Sequence, residues 1–457
     1  SGKTGTKEGC AEGDCGACTV AIVERRADGT PTYRAINACI TLLPMVAGRE
    51  VVTVEGIGTP EAMHPVQAAM VEAYGSQCGY CTPGFVCSMF EAYYRDDIRG
   101  DADLVDQLNG NLCRCTGYRP IREAAAKARE QKARAPEGDL FALRLKKPAP
   151  ELGPVDYEAM GRRFVRPTTL AELLELRAKH PEAELVAGAT EIGVYVNKHD
   201  RRYALLVSTE GVAELTRVER TADAFVVGGA ATLTALEDAI GDELPQLKKM
   251  LLVFASRQVR NRATLAGNLV TASPIGDMAP VLLSLSADVV ASSVRGERTI
   301  PLRAFFTGYR KTVLERDEIV SKIVIPRGPS GATRRIAASY KVSKRREMDI
   351  SIVAGSFAVD LDTNDVVVAA KLAYGGVAAT PALATKAEAA LVGKPWSAAT
   401  VREVSAVLAG EFTPLDDVRS GKDFRSELVV GLFEKLFAGD ESEAQEGLPW
   451  FERGATF

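Results

Sequence analysis

Nine cysteines are the residues of this sequence with the clearest capacity for chemistry, because all lie between Cys10 and Cys115 and the rest of the chain has none. Three of them are spaced C-x4-C-x2-C and a fourth follows at a distance: Cys10, Cys15, Cys18 and Cys39. This is the spacing of the ligands of a plant-type [2Fe-2S] cluster. A zinc site of four cysteines is the alternative, although zinc sites favour paired C-x2-C knuckles.

The glycines around this first set suit an iron–sulfur loop. Four thiolates and two sulfides concentrate negative charge, which inward-pointing backbone N–H groups of a tight loop offset. Such a loop needs residues that tolerate positive φ and close approach, and Gly9, Gly13 and Gly16 supply them.

A second set of cysteines combines C-x2-C with a later C-x-C. Its members are Cys78, Cys81, Cys113 and Cys115. Taken alone, this set could hold zinc or a second cluster. Pro83 and Gly117 indicate that both pairs lie at helix ends, where N–H groups help to offset an anionic cluster. The ninth cysteine, Cys87, has apolar neighbours in a predicted helix and is interpreted as a core residue.

The overall composition limits the possible partners and compartment. A formal net charge of −4 argues against nucleic-acid or membrane-surface binding. No apolar run approaches the roughly 18 residues of a membrane span. Residues 1–9 are polar and lack the hydrophobic stretch of a signal peptide. We therefore expect a cytoplasmic protein, in which clustered cysteines are metal ligands before they are disulfides.

The elements that must position the cysteines are short strands followed by helices. Predicted strands cover residues 18–24 and 50–55, and predicted helices cover 64–74, 83–94, 101–108 and 121–130. Residues 132–162 are rich in Ala, Pro, Lys and Glu and are predicted to be a linker.

From Phe164 onward the pattern is mixed α/β. Thr169 with Glu172, and Thr234 with Glu237, form capping boxes that predict two helix starts. Predicted strands cover 184–187, 224–227 and 319–325, and from about residue 337 strands at 352–360 and 366–374 precede helices at 384–391 and 427–437.

The two cysteine sets, in this order, resemble the iron–sulfur half of the molybdenum hydroxylases. The similar stretches are TGTKEGCAEGDCGACTV, SQCGYCTPGF and NLCRCTGYRPI. The resemblance implies a multidomain α+β protein with a β-grasp [2Fe-2S] ferredoxin domain over 1–60 and a four-helix-bundle [2Fe-2S] domain over 61–131. In that family a hairpin and a helix precede the first cysteine, so we expect the N-terminus before Ser1 to be truncated.

The resemblance continues into an FAD-binding domain over 163–336, an α/β domain of the non-Rossmann, vanillyl-alcohol-oxidase-like type, and a C-terminal α+β domain over 337–457. LVAGATEIGVYV looks like the family's first FAD loop, and TLAGNLVTASPIGDMAP looks like its second; GYRKT at 308–312 is also similar. The FAD contacts that this implies are Leu185, Val186, Ala187, Gly188, Ala189, Thr190, Glu191, Ile192, Phe254, Thr264, Gly267, Asn268, Asp277 and Lys341.

The implied roles differ along these motifs. Gly188 to Thr190 would approach the FAD phosphates, and Thr264 with Asn268 would hold the diphosphate or ribityl chain. Asp277 would bond the adenine-side ribose. The family places an aromatic residue, here Phe254, against the isoalloxazine ring and a lysine, here Lys341, beside the flavin.

Two departures from the family pattern stand out. Ala189 occupies a position where many members have Asn or Gly, so its side chain cannot donate a hydrogen bond. Met348 stands where relatives often carry an acid near the nicotinamide pocket.

The function implied is an electron relay. A cluster passes one electron at a time, whereas FAD holds one or two and exchanges hydride with nicotinamide, so two clusters and FAD can connect single-electron flow to NAD. We find no residue here to catalyse substrate hydroxylation, since His64, His180 and His199 are interpreted as surface or capping residues.

We therefore expect the molybdopterin cofactor on a large partner subunit, in a two-plus-two heterotetramer. Fusion of both modules on one chain favours the iron–sulfur and FAD subunit of a bacterial, xanthine-oxidising member of the family. The alternatives are the same relay in a hydroxylase of aldehydes or N-heterocycles, O2 as the acceptor, and a zinc-stabilised scaffold that is not an enzyme.

Overall fold

Four successive regions of the chain differ in their mix of helices and strands. The structure, a computed structural model, describes residues 2–26, 28–132, 138–328 and 334–446. We refer to a sheet region (2–57), a helical region (64–145), a central region (155–328) and a C-terminal region (334–446). The predicted multidomain α+β fold is confirmed. Residues 133–137 of the predicted linker and 447–457 of the predicted last domain lie outside the described residues.

The sheet region is a three-stranded antiparallel sheet in the order β2-β1-β3. Its elements are β1 (Thr19–Arg25), β2 (Pro31–Asn37), β3 (Val51–Val52) and α1 (Val54–Ile57). Strand β1 is rich in β-branched residues, which pack well on a pleated sheet. The predicted strand at 50–55 is wrong beyond Val52, because residues 54–57 turn into α1 and place the acidic Glu55 in its first turn.

The helical region packs three helices and a short fourth one around a central helix, α3. They are α2 (Pro65–Glu72), α3 (Thr82–Tyr94), α4 (Asp101–Leu108), α5 (Arg119–Lys132) and α6 (Leu140–Arg144). Helix α3 is buried on every side from Gly84 to Tyr94, which explains its nearly continuous apolar sequence. Pro83 lies in its first turn, as predicted, where no N–H partner is needed.

The range 132–162, predicted as a linker, contains two elements. Helix α6 begins at the N-cap Asp139, whose carboxylate accepts from the N–H groups of Phe141 and Ala142. Strand β4 (Val155–Ala159) pairs with β5 (Arg162–Arg166) and already belongs to the next sheet. The four predicted domain boundaries remain predictions.

The central region contains two sheets. One sheet has the strand order β4-β5-β7-β6 and includes the parallel pairs β5–β7 and β6–β7. The other sheet is antiparallel and has the order β11-β10-β14-β9-β8. Strands β12 and β13 form a separate hairpin. The elements after β5 are α7 (Leu170–Lys179), β6 (Glu184–Val186), α8 (Ile192–Lys198), β7 (Leu205–Ser208), β8 (Val218–Arg220), β9 (Ala224–Gly228), α9 (Leu233–Ile240), α10 (Pro245–Leu251), α11 (Arg257–Arg260), α12 (Leu265–Val270), α13 (Met278–Ser284), β10 (Asp288–Ser293), β11 (Gly296–Pro301), β12 (Phe306–Gly308), β13 (Lys311–Thr312) and β14 (Ile319–Pro326).

One of the two predicted capping boxes is present. Thr169 caps α7 and pairs reciprocally with Glu172, which confirms the first box. The second is wrong, because α9 is capped by Thr232. Thr234 lies inside the helix, and its hydroxyl donates to Asn261 Oδ1 at 2.8 Å instead of closing the helix end.

The C-terminal region is a four-stranded antiparallel sheet covered by helices. Its elements are β15 (Arg334–Val342), β16 (Val353–Leu361), β17 (Val367–Gly375), β18 (Ala382–Leu383), α14 (Thr385–Leu391), α15 (Ala398–Leu408) and α16 (Lys422–Glu446). Among the helices that the structure describes, none combines the length and the apolar character needed to cross a membrane.

Shared cores join the regions in pairs. Ala21, Val23 and Tyr33 of the sheet region belong to the same apolar cluster as the helical region. Ala354 and Ala373 of the C-terminal region belong to the core of the central region, where α13 packs on β16 and β17. The predicted second FAD loop thus lies in the core of the central region, whereas Val186 and Ala189 of the first pack with Met45 of the sheet region.

Candidate functional site

The first cysteine set comes together as two pairs of thiols. Cys10 and Cys15 form one pair: their side chains are within hydrogen-bonding contact, and Cys15 N–H donates to Cys10 Sγ at 3.3 Å. Cys18 and Cys39 form the other, through a contact between their thiols. Cys39, which is 21 residues from its partner in sequence, is delivered by the short turn that follows β2.

The loop that carries this set depends on glycine. Gly13 and Gly16 have φ values of +80° and +67°, and Ala11 also has a positive φ. A Cβ atom on Gly16 would lie 2.2 Å from the carbonyl oxygen of Gly110, and one on Gly13 would lie 2.6 Å from Ile40 Cδ1. A side chain is therefore excluded at Gly16 and crowded at Gly13, in agreement with the glycines predicted for close approach in this loop.

The second set also forms two pairs. Cys81 contacts Cys113, and Cys78 contacts Cys115. Cys81 immediately precedes α3, and the C-x-C pair lies in the turn between α4 and α5. Burial raises the pKa of Cys81 to about 12, with a further contribution from the contact with Cys113. Cys78 and Cys115 are exposed, so this set lies at the molecular surface.

Pairing is what a two-iron cluster requires. Each iron of such a cluster takes two thiolates, whereas one tetrahedral zinc ion needs all its ligands around one point. Within the described residues, no three His, Cys, Asp or Glu side chains converge on a point that a single metal ion could occupy. Cys87 is fully buried in the helical core, which confirms its interpretation as a packing residue.

Three predicted flavin residues from distant segments, Asp277, Lys341 and Phe254, meet where the central and C-terminal regions are in contact. Lys341 Nζ donates to Asp277 Oδ2 at 2.8 Å, and the two side chains are almost completely buried. Ser351 Oγ donates to the other carboxylate oxygen. The same ammonium group lies 6.0 Å from the centre of the Phe254 ring. The predicted contact of Asp277 with a ribose stays a prediction, since both its oxygens already have protein partners.

The predicted first FAD loop is a tight turn between a strand and a helix. Ala189 has a φ of +62°. A Cβ atom on Gly188 would lie 1.8 Å from the carbonyl oxygen of Arg262, so the turn touches the backbone that leads into the predicted second loop. Leu185 and Val186 end β6, Ile192 begins α8, and Ala187, Gly188, Ala189, Thr190 and Glu191 form the turn between them.

The predicted second FAD loop begins α12. Thr264 caps this helix and accepts from Gly267 N–H at 3.0 Å, so its hydroxyl acts on its own helix. Asn268 Oδ1 is buried and has no hydrogen-bond partner in the described part of the chain. A buried acceptor of this kind is costly unless a ligand satisfies it. A hydroxyl of a ribityl chain would do so, which is the fit expected if FAD binds here.

Glu191 ties the two FAD loops together. Thr271 at the end of α12 donates its hydroxyl to Glu191 Oε2 at 2.6 Å, and Tyr195 donates to Oε1 at 2.9 Å. Arg310, within the GYRKT motif, donates in turn to the Tyr195 hydroxyl at 2.9 Å. The sequence analysis did not single out Thr271, Tyr195 or Ser351, although the first two lie within the FAD-loop stretches quoted there.

The first cysteine set lies against the helix that follows the first FAD loop. Asn197 at the end of α8 donates to the carbonyl oxygens of Ala11 at 2.9 Å and Cys39 at 2.7 Å. A Cβ atom on Gly193 would lie 2.4 Å from the carbonyl oxygen of Ile40, so the backbones are in direct contact. The turn carrying Cys39 and the predicted FAD site are therefore neighbours.

The histidines differ from the prediction in one respect. His64 does cap α2, accepting from Val66 N–H at 3.3 Å, but it is buried rather than at the surface. Its other ring nitrogen lies 2.9 Å from the Tyr94 hydroxyl. Burial lowers the pKa of His64 to about 4. This ring has a structural role in the helical core.

Comparison with known proteins identifies three matching family models. They are the [2Fe-2S] binding domain over residues 53–126, the FAD binding domain in molybdopterin dehydrogenase over 158–328, and the CO dehydrogenase flavoprotein C-terminal domain over 338–439. The matched ranges contain all four cysteines of the second set and both predicted FAD loops.

Longer relatives match a larger share of the chain than the three family models do. Xanthine dehydrogenase of Emericella nidulans is 35% identical over 497 residues, which cover 95% of this chain and 36% of that protein. Xanthine dehydrogenase/oxidase of Mus musculus is 32% identical over 489 residues, with the same coverage of 95% and 36%. The chain thus spans little more than a third of the length of these relatives.

Solved structures share the fold of part of the chain. Cyanide-inactivated Cu,Mo-CO dehydrogenase aligns with a TM-score of 0.56 at 23% identity, covering 60% of this chain and 94% of that one. Quinoline 2-oxidoreductase from Pseudomonas putida 86 aligns with a TM-score of 0.55 at 24% identity, also covering 60% and 94%.

Iron–sulfur and FAD-binding domains on one chain define an electron-transfer flavoprotein of the oxidoreductase class. The chain belongs to the molybdenum hydroxylase family and corresponds to its iron–sulfur and FAD-binding part.

Proposed function

We propose that this chain passes electrons from a molybdenum-cofactor partner, through two [2Fe-2S] clusters, to FAD and then to NAD. The two cysteine sets, four residues each, are the proposed cluster ligands. The predicted loop residues, with Phe254, Asp277 and Lys341, are the proposed FAD contacts. When bound, the clusters carry single electrons and FAD exchanges them singly or as hydride.

One observation carries this proposal: the second set, the first set and the proposed FAD site touch in that order. Leu112 N–H donates to the carbonyl oxygen of Cys15 at 2.9 Å, joining the two cysteine loops. Asn197 of α8 donates to the carbonyl oxygen of Ala11 in the first loop and to that of Cys39. The second set is the exposed one, so an outside donor reaches it most directly.

The residues around the proposed FAD site have distinct tasks. Asn268 offers an unpaired buried acceptor to the cofactor, and Gly188 lets the backbone approach closely. Glu191 holds the two loops together through Thr271. The ion pair of Asp277 with Lys341 fixes a positive charge beside Phe254, at the face where the isoalloxazine is proposed to lie.

The finer parts of the proposal concern the whole enzyme. The curated relatives named above are xanthine dehydrogenases that extend well beyond this chain, which supports xanthine oxidation with molybdopterin on a partner. In the CO dehydrogenase and quinoline oxidoreductase structures, 94% of one chain is covered by 60% of this one. A division of the enzyme among chains is therefore reasonable, and we propose a cytoplasmic two-plus-two heterotetramer.

An anaerobic NADH titration tests the relay. The purified, cofactor-loaded chain is mixed with NADH while the visible spectrum is followed. Bleaching of the flavin and then of the iron–sulfur bands is expected, because the same path runs in both directions. Bleaching by dithionite but not by NADH would contradict NAD as the acceptor and favour O2 or a protein carrier. Zinc without iron or acid-labile sulfide would contradict the relay itself.

Co-expression with the molybdenum-binding chain tests the partner. The expected product is a complex of two copies of each chain that contains molybdenum and oxidises xanthine with NAD. Light scattering after gel filtration measures the stoichiometry, and metal analysis measures the molybdenum. A complex that oxidises an aldehyde or another N-heterocycle but leaves xanthine unchanged would rule out xanthine as the substrate. It would not contradict the proposed electron relay.

A further inference from the structure

The loops of the two cysteine sets meet with no side chain between their backbones. A Cβ atom on Gly84 of α3 would lie 2.1 Å from the carbonyl oxygen of Gly16, in the first loop. A Cβ atom on Gly16 would lie 2.2 Å from the carbonyl oxygen of Gly110, just before the C-x-C pair. Real Cβ atoms do not approach carbonyl oxygens so closely, so the three segments converge here only because residues 16 and 84 are glycine.

Asn111 lies in the loop of the second cysteine set and forms hydrogen bonds to the loop of the first. Its side chain is 2% exposed, and its Nδ2 donates to the carbonyl oxygen of Gly16 at 3.0 Å and contacts Thr19 Oγ1 at 3.3 Å. The next residue, Leu112, donates its N–H to the carbonyl oxygen of Cys15 at 2.9 Å. Leu112 immediately precedes Cys113, so the ligand-bearing backbones of the two sets are separated by one hydrogen bond.

The other end of the Asn111 amide is fixed from two more elements. Its Oδ1 accepts from Ser88 Oγ of α3 at 2.6 Å and from Gln258 Nε2 of α11 at 2.7 Å. Both partners are buried. The amide therefore uses its donor toward the first cysteine loop and its acceptor toward the helical and central regions. Every one of these groups is buried, so the four hydrogen bonds of the amide do not compete with solvent.

We propose that Asn111 is a positioning residue for electron transfer: it clamps the two cysteine loops together and thereby sets the separation of the clusters they hold. The proposal rests on the proposed function. Electronic overlap between two centres falls exponentially with their separation, so a small shift of either loop changes the transfer rate strongly. One electron leaves the centre on Cys78, Cys81, Cys113 and Cys115 and reduces the centre on Cys10, Cys15, Cys18 and Cys39; no bond or proton is exchanged.

The test uses the full chain with its cofactors, reduced with dithionite and examined by low-temperature EPR. Two reduced clusters each carry an unpaired spin, and their magnetic coupling broadens or splits the signals by an amount that depends on their distance. Asn111→Ala is expected to keep the iron and acid-labile sulfide content of the wild type but to lose part of this splitting. In stopped-flow experiments, electron equilibration between the two clusters is expected to slow.

Two further variants isolate the clamp. Ser88→Ala removes one bond to the same Oδ1 atom and leaves both Asn111 donors in place, so its splitting should equal that of the wild type. Asn111→Ser introduces a hydroxyl that is too short to reach Gly16, so it should reproduce the loss in a less disruptive background if Asn111→Ala fails to fold.

The outcomes separate this proposal from the proposed function. Wild-type splitting and equilibration in a folded Asn111 variant would overturn the positioning role alone, and so would an equal loss in Ser88→Ala. A wild-type protein without two distinct cluster signals would overturn the proposed relay and this proposal with it.

Discussion

At the scale of single residues, two kinds of side chain form the proposed cofactor sites of this chain. Paired thiols supply the proposed cluster ligands, and a buried ion pair supplies charge beside the proposed flavin site. The two kinds lie in different packed units, so a change in one should leave the other intact. The first two predictions test that independence.

Cys113→Ser should remove one of the two cluster EPR signals and leave the flavin bound. A serine hydroxyl is a poor replacement for a thiolate ligand at iron, while Cys113 is far from the FAD loops in the chain and lies in the helical region. Low-temperature EPR and the visible flavin band measure the two effects. Cys87→Ala is the matched control, because this buried cysteine contacts no other cysteine thiol and should keep both signals.

Asp277→Ala should weaken FAD retention while both clusters persist. The change leaves the Lys341 ammonium buried without its carboxylate, which costs about 3–5 kcal/mol in comparable buried pairs. The FAD-to-protein ratio after gel filtration measures retention. Asp360→Ala breaks a partly buried ion pair, with Arg335 in the C-terminal sheet, and should lower stability without releasing FAD. Loss of both clusters in the Asp277 variant would contradict the modular arrangement.

At the scale of elements, glycine contacts decide how closely loops and helices approach. The β6–α8 turn rests on the backbone before α12 at Gly188, and α8 rests on the first cysteine loop at Gly193. These contacts connect a strand–turn–helix unit to two separate cofactor sites. Because these contacts involve no charged group, a substitution that only adds side-chain volume is enough to test them.

Gly188→Ala should separate the two FAD loops and reduce FAD binding. The added methyl group would lie 1.8 Å from the Arg262 carbonyl oxygen, so one of the two backbones must move. Fluorescence titration of the apoprotein with FAD measures the loss of affinity. Gly431→Ala is the control: its added methyl group, in α16, meets no atom within 4 Å, and it should stabilise the helix by roughly 0.5–1 kcal/mol without changing FAD affinity. Equal affinities in the two variants would refute the close-approach argument.

At the scale of the whole molecule, a buried carboxylate joins three regions. Glu91 of α3 is completely buried and accepts from Ala35 N–H of β2 at 2.9 Å. The guanidinium groups of Arg257 and Arg34 lie 3.2 Å and 3.7 Å from it. Burial by itself would raise the pKa of Glu91, but the two arginines lower it overall. The carboxylate thus remains charged where sheet, helical and central regions meet.

Glu91→Ala should loosen the junction of these regions. It removes the carboxylate that two buried arginines share, leaving Arg34 with Asp238 and Arg257 with Glu237. Loss of one partner of a buried ion pair is expected to lower the free energy of unfolding by about 3–5 kcal/mol. Calorimetry of the cofactor-loaded chain should show the transition shifted to lower temperature and split. Glu123→Ala breaks an exposed pair with Arg119 on α5 and should cost about 0.5 kcal/mol or less. If the unfolding temperature of the Glu91 variant fell no further than that of the Glu123 variant, the junction would be held by packing alone.

The sequence alone determined the features that depend on local spacing. The cysteine intervals, the glycines of the first loop and the start of α7 at Thr169 all concern residues that are near one another in the chain. Such spacings fix turn and helix geometry directly, because backbone conformation is a local property. The same reasoning failed at Thr234, because its hydroxyl donates to the distant Asn261 instead of capping a helix.

Only the tertiary structure decided which distant groups meet. Lys341 reaches Asp277, Asn111 reaches Gly16, and Glu91 reaches Arg257, each across many residues of sequence. His64 could likewise be recognised as a cap but not as a buried ring. Burial and long-range pairing depend on how whole elements pack, and packing is a collective result of shape and apolar area. Residue spacing therefore predicts the ligand sets, while the fold sets the distances between them.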